Sequence, residues 1–530
     1  MTAPPQQATN VGTTTLDQPP RPSADRGFFG HPRGLAVLFT TEMWERFSFY
    51  GLRPLLVLFM TAALAEGGFG FERNQASAIV GIYASSVYLS SLPGGWIADR
   101  LLGLRRAIFW GAVLISLGHI SIGLSAFAHS RVPFFIGLVL IVLGTGLLKP
   151  NISAIVGDLY PEGGARRDAG FSVFYMGINI GAFFGQLVTG YLGESVGWHW
   201  GFGAAGVGML LGLFTYAFYS RRTLGNLGVE PSRHPDPAVD ARQKRTGAIA
   251  TAAGLAILAL VIVLAATGAI QLDPQAIGAS MTYVLVGIAV VYFAGLLALG
   301  GLTGGEKKRI GVIFILFIFA AIFWAAFEQA PTSLNLFARD FTQRQLRNFE
   351  VPATWFQSIN SAFIIVLAPV FAWIWTSLAR RGVDLSSPAK FSLGLLMAGV
   401  GFAIMIPAAN IIVGSGGAVK VSAWWLTWSY FFQTIGELCL SPVGLSSMTK
   451  LSPRKYVGQM MGIWFLATSV GNLIAGLVGG HVDPEKLEQT PQLFTATTAA
   501  LVGAAILLAL LIVPIRRMMA STGDRVAART

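Results

Sequence analysis

Four charged side chains interrupt the apolar stretch TTEMWERFSFYGLRPLLVLFM, residues 41–60, which is long enough to span a bilayer. They are Glu42, Glu45, Arg46 and Arg53. At about 3.6 residues per turn of an α-helix, these positions share one face. Because each charge at the centre of a bilayer costs about 2.5 to 3.5 kcal/mol, the four cannot face lipid. The sequence therefore predicts that this face lines a cavity inside a helical bundle.

Three further ionisable residues lie within apolar segments: Lys149, Glu328 and Glu437. Together the seven comprise four carboxylates and three cations, so complete pairing leaves one carboxylate without a cation. A buried carboxylate of this kind tends to hold a proton. Charges that exchange partners would bind a proton in one arrangement and release it in another, which couples protonation to conformation. The alternative is a static ion network that only locks helices together, although buried pairs stabilise poorly compared with apolar packing.

Polar and aromatic side chains on this span and on others are expected to face the same cavity. They are Tyr50, Tyr88, Asn179, Trp324, Asn360 and Trp464. A pocket that presents cations, carboxylates, amides and rings together suits a zwitterion with amide groups and variable side chains. For Trp324 and Trp464 the structural alternative is packing or anchoring at the membrane interface.

The elements that must position these residues belong to an integral membrane protein. The chain has 530 residues, of which 54% are hydrophobic and 12% charged, against about 25% charged in soluble domains. Residues 1–26 are rich in Pro, Thr, Gln and Ser and lack the apolar core of a cleavable signal. The single cysteine, Cys439, excludes an intramolecular disulfide and a cysteine metal cluster.

Hydropathy predicts an all-α integral membrane fold with fourteen transmembrane helices. They are expected at residues 35–64, 76–98, 105–128, 132–158, 169–191, 200–220, 247–269, 279–301, 310–336, 355–379, 391–413, 421–449, 456–479 and 493–515. Of the 37 Lys and Arg residues, 27 fall on the side that then holds both termini, seven on the other side and three within spans. By the positive-inside rule both termini are cytoplasmic, and the protein is a multi-pass protein of the cytoplasmic membrane. The formal charge of +12 thus reflects topology and does not indicate nucleic-acid binding.

The spans form two halves of six with a pair inserted between them. The halves resemble each other, because GTGLLKPNISAIVGDLYP and IGELCLSPVGLSSMTKLSP each hold prolines eleven residues apart. Weak internal symmetry with interrupted helices indicates a transporter whose site lies between the repeats; chance likeness of Gly-rich helices is the alternative. The predicted division is a disordered cytoplasmic tail at 1–30, a six-helix bundle at 31–220, a cytoplasmic linker at 221–246, a two-helix insertion at 247–305, a second six-helix bundle at 306–516 and a cytoplasmic tail at 517–530.

Motifs for other chemistry do not occur in the sequence. It has no phosphate-cradling glycine loop with Lys-Ser/Thr, no zinc-ligand pair and no G-x-S-x-G elbow, and its six histidines are scattered. We therefore expect neither an enzyme nor an ATP-driven pump, and no cofactor. A multispan membrane enzyme or receptor is the remote alternative, and it would need a positioned nucleophile or a soluble signalling domain.

Several segments resemble one transporter family. EMWERF (42–47) resembles the E-x-x-E-R-F motif of the proton-dependent oligopeptide transporter family, a branch of the major facilitator superfamily. FSVFYMGINIGAF (171–183) is similar to its fifth-helix signature, and GTGLLKPNIS (144–153) to its lysine-bearing fourth helix. GGWIADRLLGLRR (94–106) resembles the loop motif of the superfamily, with Asp99 and Arg100. FWAAFEQ and GELCLSPVGLS extend the resemblance to almost all of residues 30–515.

The resemblance implies the major facilitator fold with 6 + 2 + 6 helices and symport of di- and tripeptides with protons by alternating access. The proton gradient would supply the energy, and a single chain would be the functional unit in the bilayer. The implied proton-coupling residues are Glu42, Glu45, Arg46, Lys149 and Glu328. The implied substrate-binding residues are Tyr50, Arg53, Tyr88, Lys149, Asn179, Trp324, Asn360, Glu437, Ser441 and Trp464.

Within that implied site, each residue has an implied role. Arg53 would pair with Glu328 to help close the outer gate. Arg53 and Lys149 would bind the peptide carboxylate, and Glu437 its amino group. The two asparagines would bind the peptide backbone and the aromatic residues would shape side-chain pockets, while Asp99 would cap and pair against a neighbouring helix end.

One position departs from the family pattern. Members commonly carry two tyrosines after the E-x-x-E-R-F motif, and here the first is Phe49. We expect a missing hydroxyl in the cavity wall, worth about 0.5 to 1.5 kcal/mol, to alter affinity or peptide preference. The alternative within transport is a related proton-coupled carrier of another small zwitterion or anion.

Overall fold

The computed structural model describes residues 25–128, 130–162, 164–233, 235–382 and 385–520. The predicted N-terminal tail up to residue 24 and the predicted C-terminal tail from residue 521 lie outside these residues.

Fifteen α-helices form most of the described chain, and all except the seven-residue α10 have the length of a membrane span. They are α1 (Arg33–Thr61), α2 (Arg73–Ile97), α3 (Leu104–Ala128), α4 (Val132–Asp158), α5 (Gly164–Tyr191), α6 (Trp198–Thr223), α7 (Pro237–Ala266), α8 (Pro274–Leu299), α9 (Gly304–Phe327), α10 (Asn335–Phe341), α11 (Trp355–Arg380), α12 (Ser387–Gly414), α13 (Trp424–Leu451), α14 (Val457–Gly479) and α15 (Gln489–Ala520). The predicted all-α fold with fourteen long helices is confirmed.

Hydropathy alone identifies twelve of these helices as long and apolar enough to cross a membrane. The two long helices outside that set are α1 and α13. Both helices carry charged side chains at the centre of the molecule. Glu45 lies on α1, in the first half, and Glu437 lies on α13, in the second half. Residues that serve the site therefore lower the hydropathy of the helices that hold them.

Successive long helices run in opposite directions, which gives the molecule two ends. We call the end where α1 begins and α15 ends the terminal side, and the end where α2 begins and α14 ends the far side. Two pairs of two-residue strands lie on the far side. They are β1 (Thr342–Gln343) parallel to β4 (Val421–Ser422), and β2 (Gln345–Leu346) antiparallel to β3 (Phe349–Glu350).

In the first half, α1 packs closely against α5 and α6, while α3 packs against α4. Glycines recur every four residues on the face of α5 that meets α1: Gly177, Gly181 and Gly185. A Cβ atom at Gly177 would lie only 2.8 Å from the ring of Phe39. This close approach fixes the rotation of α1, and its charged face consequently turns into the molecule.

The two halves meet along a seam between α2 and α14. Their backbones touch at Gly81, where a Cβ atom would lie 2.8 Å from the Cα of Gly476. Further along the seam, the Ser469 hydroxyl donates to the Ser85 carbonyl (3.3 Å), and the rings of Tyr88 and Phe465 stack with centroids 6.4 Å apart. Small residues thus allow two membrane helices to pack without intervening side chains.

The second half packs α12 against α13 and α15, and the inserted pair lies outside both halves. Helix α8 contacts α2 and α14, whereas the apolar part of α7 is not buried by the described chain. Helix α7 begins inside the predicted linker, because the Asp236 carboxylate accepts from the Ala238 N–H (2.8 Å) and Pro237 occupies the first turn.

The predicted span 310–336 is not one continuous helix. Helix α9 ends at Phe327, with Glu328 at its C-cap, and a π-helical turn at Ala330–Leu334 then leads into α10. Pro331 lies in this turn and has no N–H to continue the ladder of helical hydrogen bonds. The break leaves Glu328 at the end of a helix, facing the opposite half.

Candidate functional site

The charged face of α1 forms a compact ion cluster. The Arg46 guanidinium pairs with the Glu45 carboxylate and lies 3.3 Å from that of Glu42. All three side chains are at most 2% exposed. Spacings of one and four residues on one helix place both carboxylates beside the same cation. Within the described residues, one Glu42 oxygen (Oε2) and one Arg46 nitrogen (Nη2) have no hydrogen-bond partner, so the cluster is not saturated.

Further along α1, Arg53 connects the two halves. Its guanidinium pairs with the Glu328 carboxylate and donates to Asn472 Oδ1 (2.8 Å). This is the predicted Arg53–Glu328 pair. Sequence reasoning missed Asn472, although an asparagine inside the otherwise apolar α14 was a signal for it.

The cation and the carboxylate that remain are not paired with each other. Lys149 Nζ lies 4.3 Å from the centroid of the Tyr88 ring, and no described carboxylate is within 4.0 Å of it. Glu437 has no described cation at that range and accepts from Asn360 Nδ2 (3.2 Å). One carboxylate, Glu437, is thus left without a cation, as the count of charges leads one to expect. Because Arg46 takes two carboxylates, one cation and one carboxylate stay unpaired.

A cavity between the halves is lined by eight of the predicted site residues. They are Tyr50, Arg53, Tyr88, Asn179, Trp324, Glu328, Asn360 and Glu437. Sequence reasoning missed other polar residues of this lining: Tyr175, Gln186, Gln357, Tyr430 and Gln433. Each lies on a helix that contributes other residues to the lining. The sequence alone does not distinguish these five from polar residues of the spans that face elsewhere, because the distinction depends on three-dimensional packing.

Several lining atoms are buried and have no hydrogen-bond partner among the described residues. They are Trp324 Nε1, Gln357 Nε2, Gln186 Oε1 and the Tyr430 hydroxyl. Buried polar groups without partners are costly in a finished core. Because they line a cavity, these atoms can bind water or a polar ligand.

The prediction that the whole charged face of α1 lines the cavity is wrong for Glu42, Glu45 and Arg46. These three lie behind the lining, whereas Tyr50 and Arg53 belong to it. Lys149 also lies outside the lining and reaches it through its contact with Tyr88.

Two predicted substrate-binding residues lie away from the lining. Trp464 is 6% exposed and packs inside the second half, with its ring centroid 6.4 Å from that of Phe391 and its indole against Gly444. Ser441 follows Glu437 by one turn of α13, and its buried hydroxyl has no described partner.

Phe49 does not belong to the cavity wall. Its side chain is 2% exposed, with the Arg46 guanidinium carbon 4.9 Å from its ring centroid and the Tyr83 ring stacked at 6.3 Å. The aromatic ring contacts Arg46, and the expected change in affinity or peptide preference stays a prediction.

The loop motif after α2 forms a π-helical turn, Ala98–Leu102. The Asp99 carbonyl accepts from the Ser232 N–H (2.7 Å), which ties the turn to the segment after α6. No described Lys or Arg nitrogen lies within 4.0 Å of the Asp99 carboxylate, so the expected pairing of Asp99 is not present. Arg100 lies in the same turn and is half-buried.

The cavity is closed on the far side. Beyond the Arg53–Glu328 pair, Arg73 of the first half donates to Asp340 (2.5 Å) and to the Val482 carbonyl (2.9 Å) of the second half. On the other side of the cavity, the lining residue Tyr175 is 46% exposed. Among the described residues no cluster of three or more His, Cys, Asp or Glu could hold a metal ion.

The chain is similar in sequence and in fold to known transporters. The sequence model of the POT family matches residues 105–493. The peptide transporter YePEPT of Yersinia enterocolitica is 50% identical over 497 residues, which cover 94% of this chain and 97% of that one. A di-/tripeptide transporter of Lactococcus lactis subsp. cremoris is 38% identical over 511 residues, 93% of this chain and 98% of that one. A crystal structure of a peptide transporter POT in complex with sulfate has a TM-score of 0.85 and 40% identity, and covers 93% of this chain and 97% of its own.

Proposed function

This chain belongs to the POT family, and from that membership we propose that it takes up di- and tripeptides together with protons by alternating access. The observation that carries the proposal is the separation of charge around the cavity. The second half presents Glu437 without a cation, and the first half presents Arg53 in the lining, with Lys149 behind the lining against Tyr88. A zwitterionic peptide would lie across the cavity with each end against the opposite charge.

Each end of the peptide would meet a different set of groups. The amino group binds at Glu437, beside the Asn360 amide that already contacts this carboxylate. The peptide carboxylate binds at Arg53 and Lys149, which Tyr88 brings near the cavity. The amides and hydroxyl without partners in the lining supply hydrogen bonds to the peptide backbone and to polar side chains.

Proton coupling would use the carboxylates that hold arginines. A proton on Glu328 removes the charge that holds Arg53, which weakens the link between the halves at the far side. A proton on Glu42 or Glu45 likewise weakens one of the two ion pairs of Arg46. Protonation from one side and release to the other then biases which side is open. Each proton contributes about 2.3 kcal/mol per 100 mV of membrane potential, so no cofactor is needed.

The sidedness of this cycle rests on the charges of the loops. We propose that the protein lies in the cytoplasmic membrane, with the terminal side cytoplasmic and the far side external. The reason is that 27 of the 37 Lys and Arg residues lie on the same side as the two termini. The six-helix units at 31–220 and 306–516 would rock about the seam between α2 and α14. One chain supplies every lining residue, so a monomer would suffice.

Uptake of labelled dialanine into liposomes that contain the pure protein tests this function. We expect accumulation only with an inward proton gradient and a negative interior. Unlabelled dipeptides and tripeptides should compete, and amino-blocked dipeptides should compete less. Competition by small amino-carboxylates that lack a peptide bond, with no effect of peptides, would transfer the assignment to a related carrier of another zwitterion.

A further inference from the structure

A carboxylate of the first half caps a helix of the second half on the far side. Glu194 lies in the π-helical turn Leu192–Val196 that follows α5. Its oxygens accept from the Ala353 N–H (2.8 Å), the Thr354 N–H (3.0 Å) and the Thr354 hydroxyl (2.8 Å), immediately before α11 begins. Three donors of one half thus converge on a single side chain of the other, which is 12% exposed.

The first N–H groups of a helix have no partner within the helix and favour a negative group. Thr354, the N-cap residue of α11, makes no capping bond with its own side chain. Glu194 takes that role from the opposite half. A helix start that depends on another rigid body for its cap ties the positions of the two bodies together.

The surroundings of Glu194 are built for a close fit. A Cβ atom at Gly190 would collide with the Thr354 hydroxyl, and the Trp355 indole N–H donates to the Leu187 carbonyl (2.9 Å). The rings of Tyr191 and Phe349 stack with centroids 6.2 Å apart. The end of α5 therefore rests on the segment that leads into α11.

This link differs in kind from two other links between the halves. Arg53–Glu328 and Arg73–Asp340 are pairs of opposite charges. The described cation nearest to the Glu194 carboxylate is Arg344, at 3.7 Å, and Arg344 itself pairs more closely with Glu350 of its own half (2.8 Å). The Glu194 link consequently depends mainly on one carboxylate, two backbone N–H groups and the Thr354 hydroxyl, and water can replace these donors when the halves part.

We propose that Glu194 is a gating residue, which holds the far side closed by capping α11 and must release that cap for the cavity to open there. The proposal rests on the alternating access of the proposed function. Release has a modest net cost, because the freed N–H groups and the carboxylate both pass into water, whereas removal of the Glu194 carboxylate leaves those N–H groups unpaired in the closed state. Such a contact holds one state of a cycle without trapping it.

The distance between the halves on the far side tests the proposal without any transport. Spin labels at Ala65→Cys and Lys486→Cys, both exposed on the far side, report on that distance in a Cys439→Ser background. We expect Glu194→Ala to raise the ratio of the long to the short distance at least tenfold, which corresponds to about 1.4 kcal/mol. Glu194→Gln keeps an acceptor oxygen and should give a smaller shift.

The matched control is Glu72→Ala, an exposed carboxylate on the same side that makes no side-chain hydrogen bond or ion pair within the described residues. It should leave the distances unchanged. An unchanged ratio in Glu194→Ala, with Arg73→Ala shifted, would overturn the proposal. Peptide uptake in the parent chain is measured separately, so absent uptake with a shift in Glu194→Ala would contradict the proposed function and leave the gate standing.

Discussion

At the scale of single residues, Glu437 is the position at which substrate charge can be tested most directly. It lines the cavity, pairs with no described cation, and among described side chains accepts a hydrogen bond only from the Asn360 amide. Hydrogen bonds to charged groups contribute about 1.5 to 3 kcal/mol. We therefore expect Glu437→Gln to weaken peptides with a free amino group by roughly 10- to 150-fold and to spare amino-blocked peptides.

Competition for labelled dialanine uptake measures this difference as a ratio of inhibition constants. Cys439→Ala serves as the control, because Cys439 lies on the same helix, is buried and does not line the cavity. Equal weakening of free and amino-blocked peptides by Glu437→Gln would contradict the placement of the amino group.

The ion cluster of α1 gives a second residue-scale prediction. Glu45 touches no substrate position, since it lies behind the cavity lining and pairs with Arg46. An amide at this position can neither take nor release a proton. Glu45→Gln should lose accumulation driven by a pH gradient and keep exchange of internal for external peptide, which needs no net proton movement.

Paired assays in the same liposomes separate the two activities of Glu45→Gln, with Glu485→Gln, an exposed carboxylate on the far side, as the control. Full gradient-driven accumulation in Glu45→Gln would mean that coupling takes place at other carboxylates. Such a result would leave the static ion network as the account of this cluster.

At the scale of elements, the seam between α2 and α14 depends on glycine. A methyl group at Gly81 would meet the Cα of Gly476 at 2.8 Å, so Gly81→Ala forces two backbones apart. Overpacking of this kind costs about 1 to 3 kcal/mol. We expect a lower melting temperature and at least tenfold slower uptake. Gly287→Ala on α8 is the matched control, because nothing lies within 4 Å of a Cβ atom at that position. An equal loss of melting temperature and uptake in Gly287→Ala would assign the effect to helix propensity alone.

The elements also show what the sequence can and cannot predict. The spacing of Glu42, Glu45 and Arg46 correctly predicts a buried charged face, because helical periodicity is local. The same spacing does not distinguish a cavity wall from the layer behind it, since that depends on the rotation of α1 against α5. The break between α9 and α10 was missed because apolar length dominates hydropathy and conceals a single proline.

At the scale of the whole molecule, the number of long helices and the family follow from local signals, whereas the links between the halves do not. Arg53 and Asn472 are 419 residues apart, and Glu194 and Ala353 are 159 apart. No periodicity within a helix selects a partner at such separations. The shared use of Arg46 by two carboxylates has the same origin, because a count of charges does not state which of them are neighbours.

If the halves move as rigid bodies, the links at Arg73 and at Glu194 act on one equilibrium between closed and open far sides. They involve separate helices, so their free energies should add to within about 0.5 kcal/mol, and the fold-changes in Arg73→Ala and Glu194→Ala should multiply in the double variant. A second label pair at Ser195→Cys and Asn348→Cys, near the Glu194 link, should report the same ratio as the pair at residues 65 and 486. Local fraying would instead lengthen only the distance beside the deleted link. Rigid rocking therefore requires that both label pairs give the same ratio in Arg73→Ala, in Glu194→Ala and in the double variant. Different ratios from the two label pairs would instead show that two loops open independently.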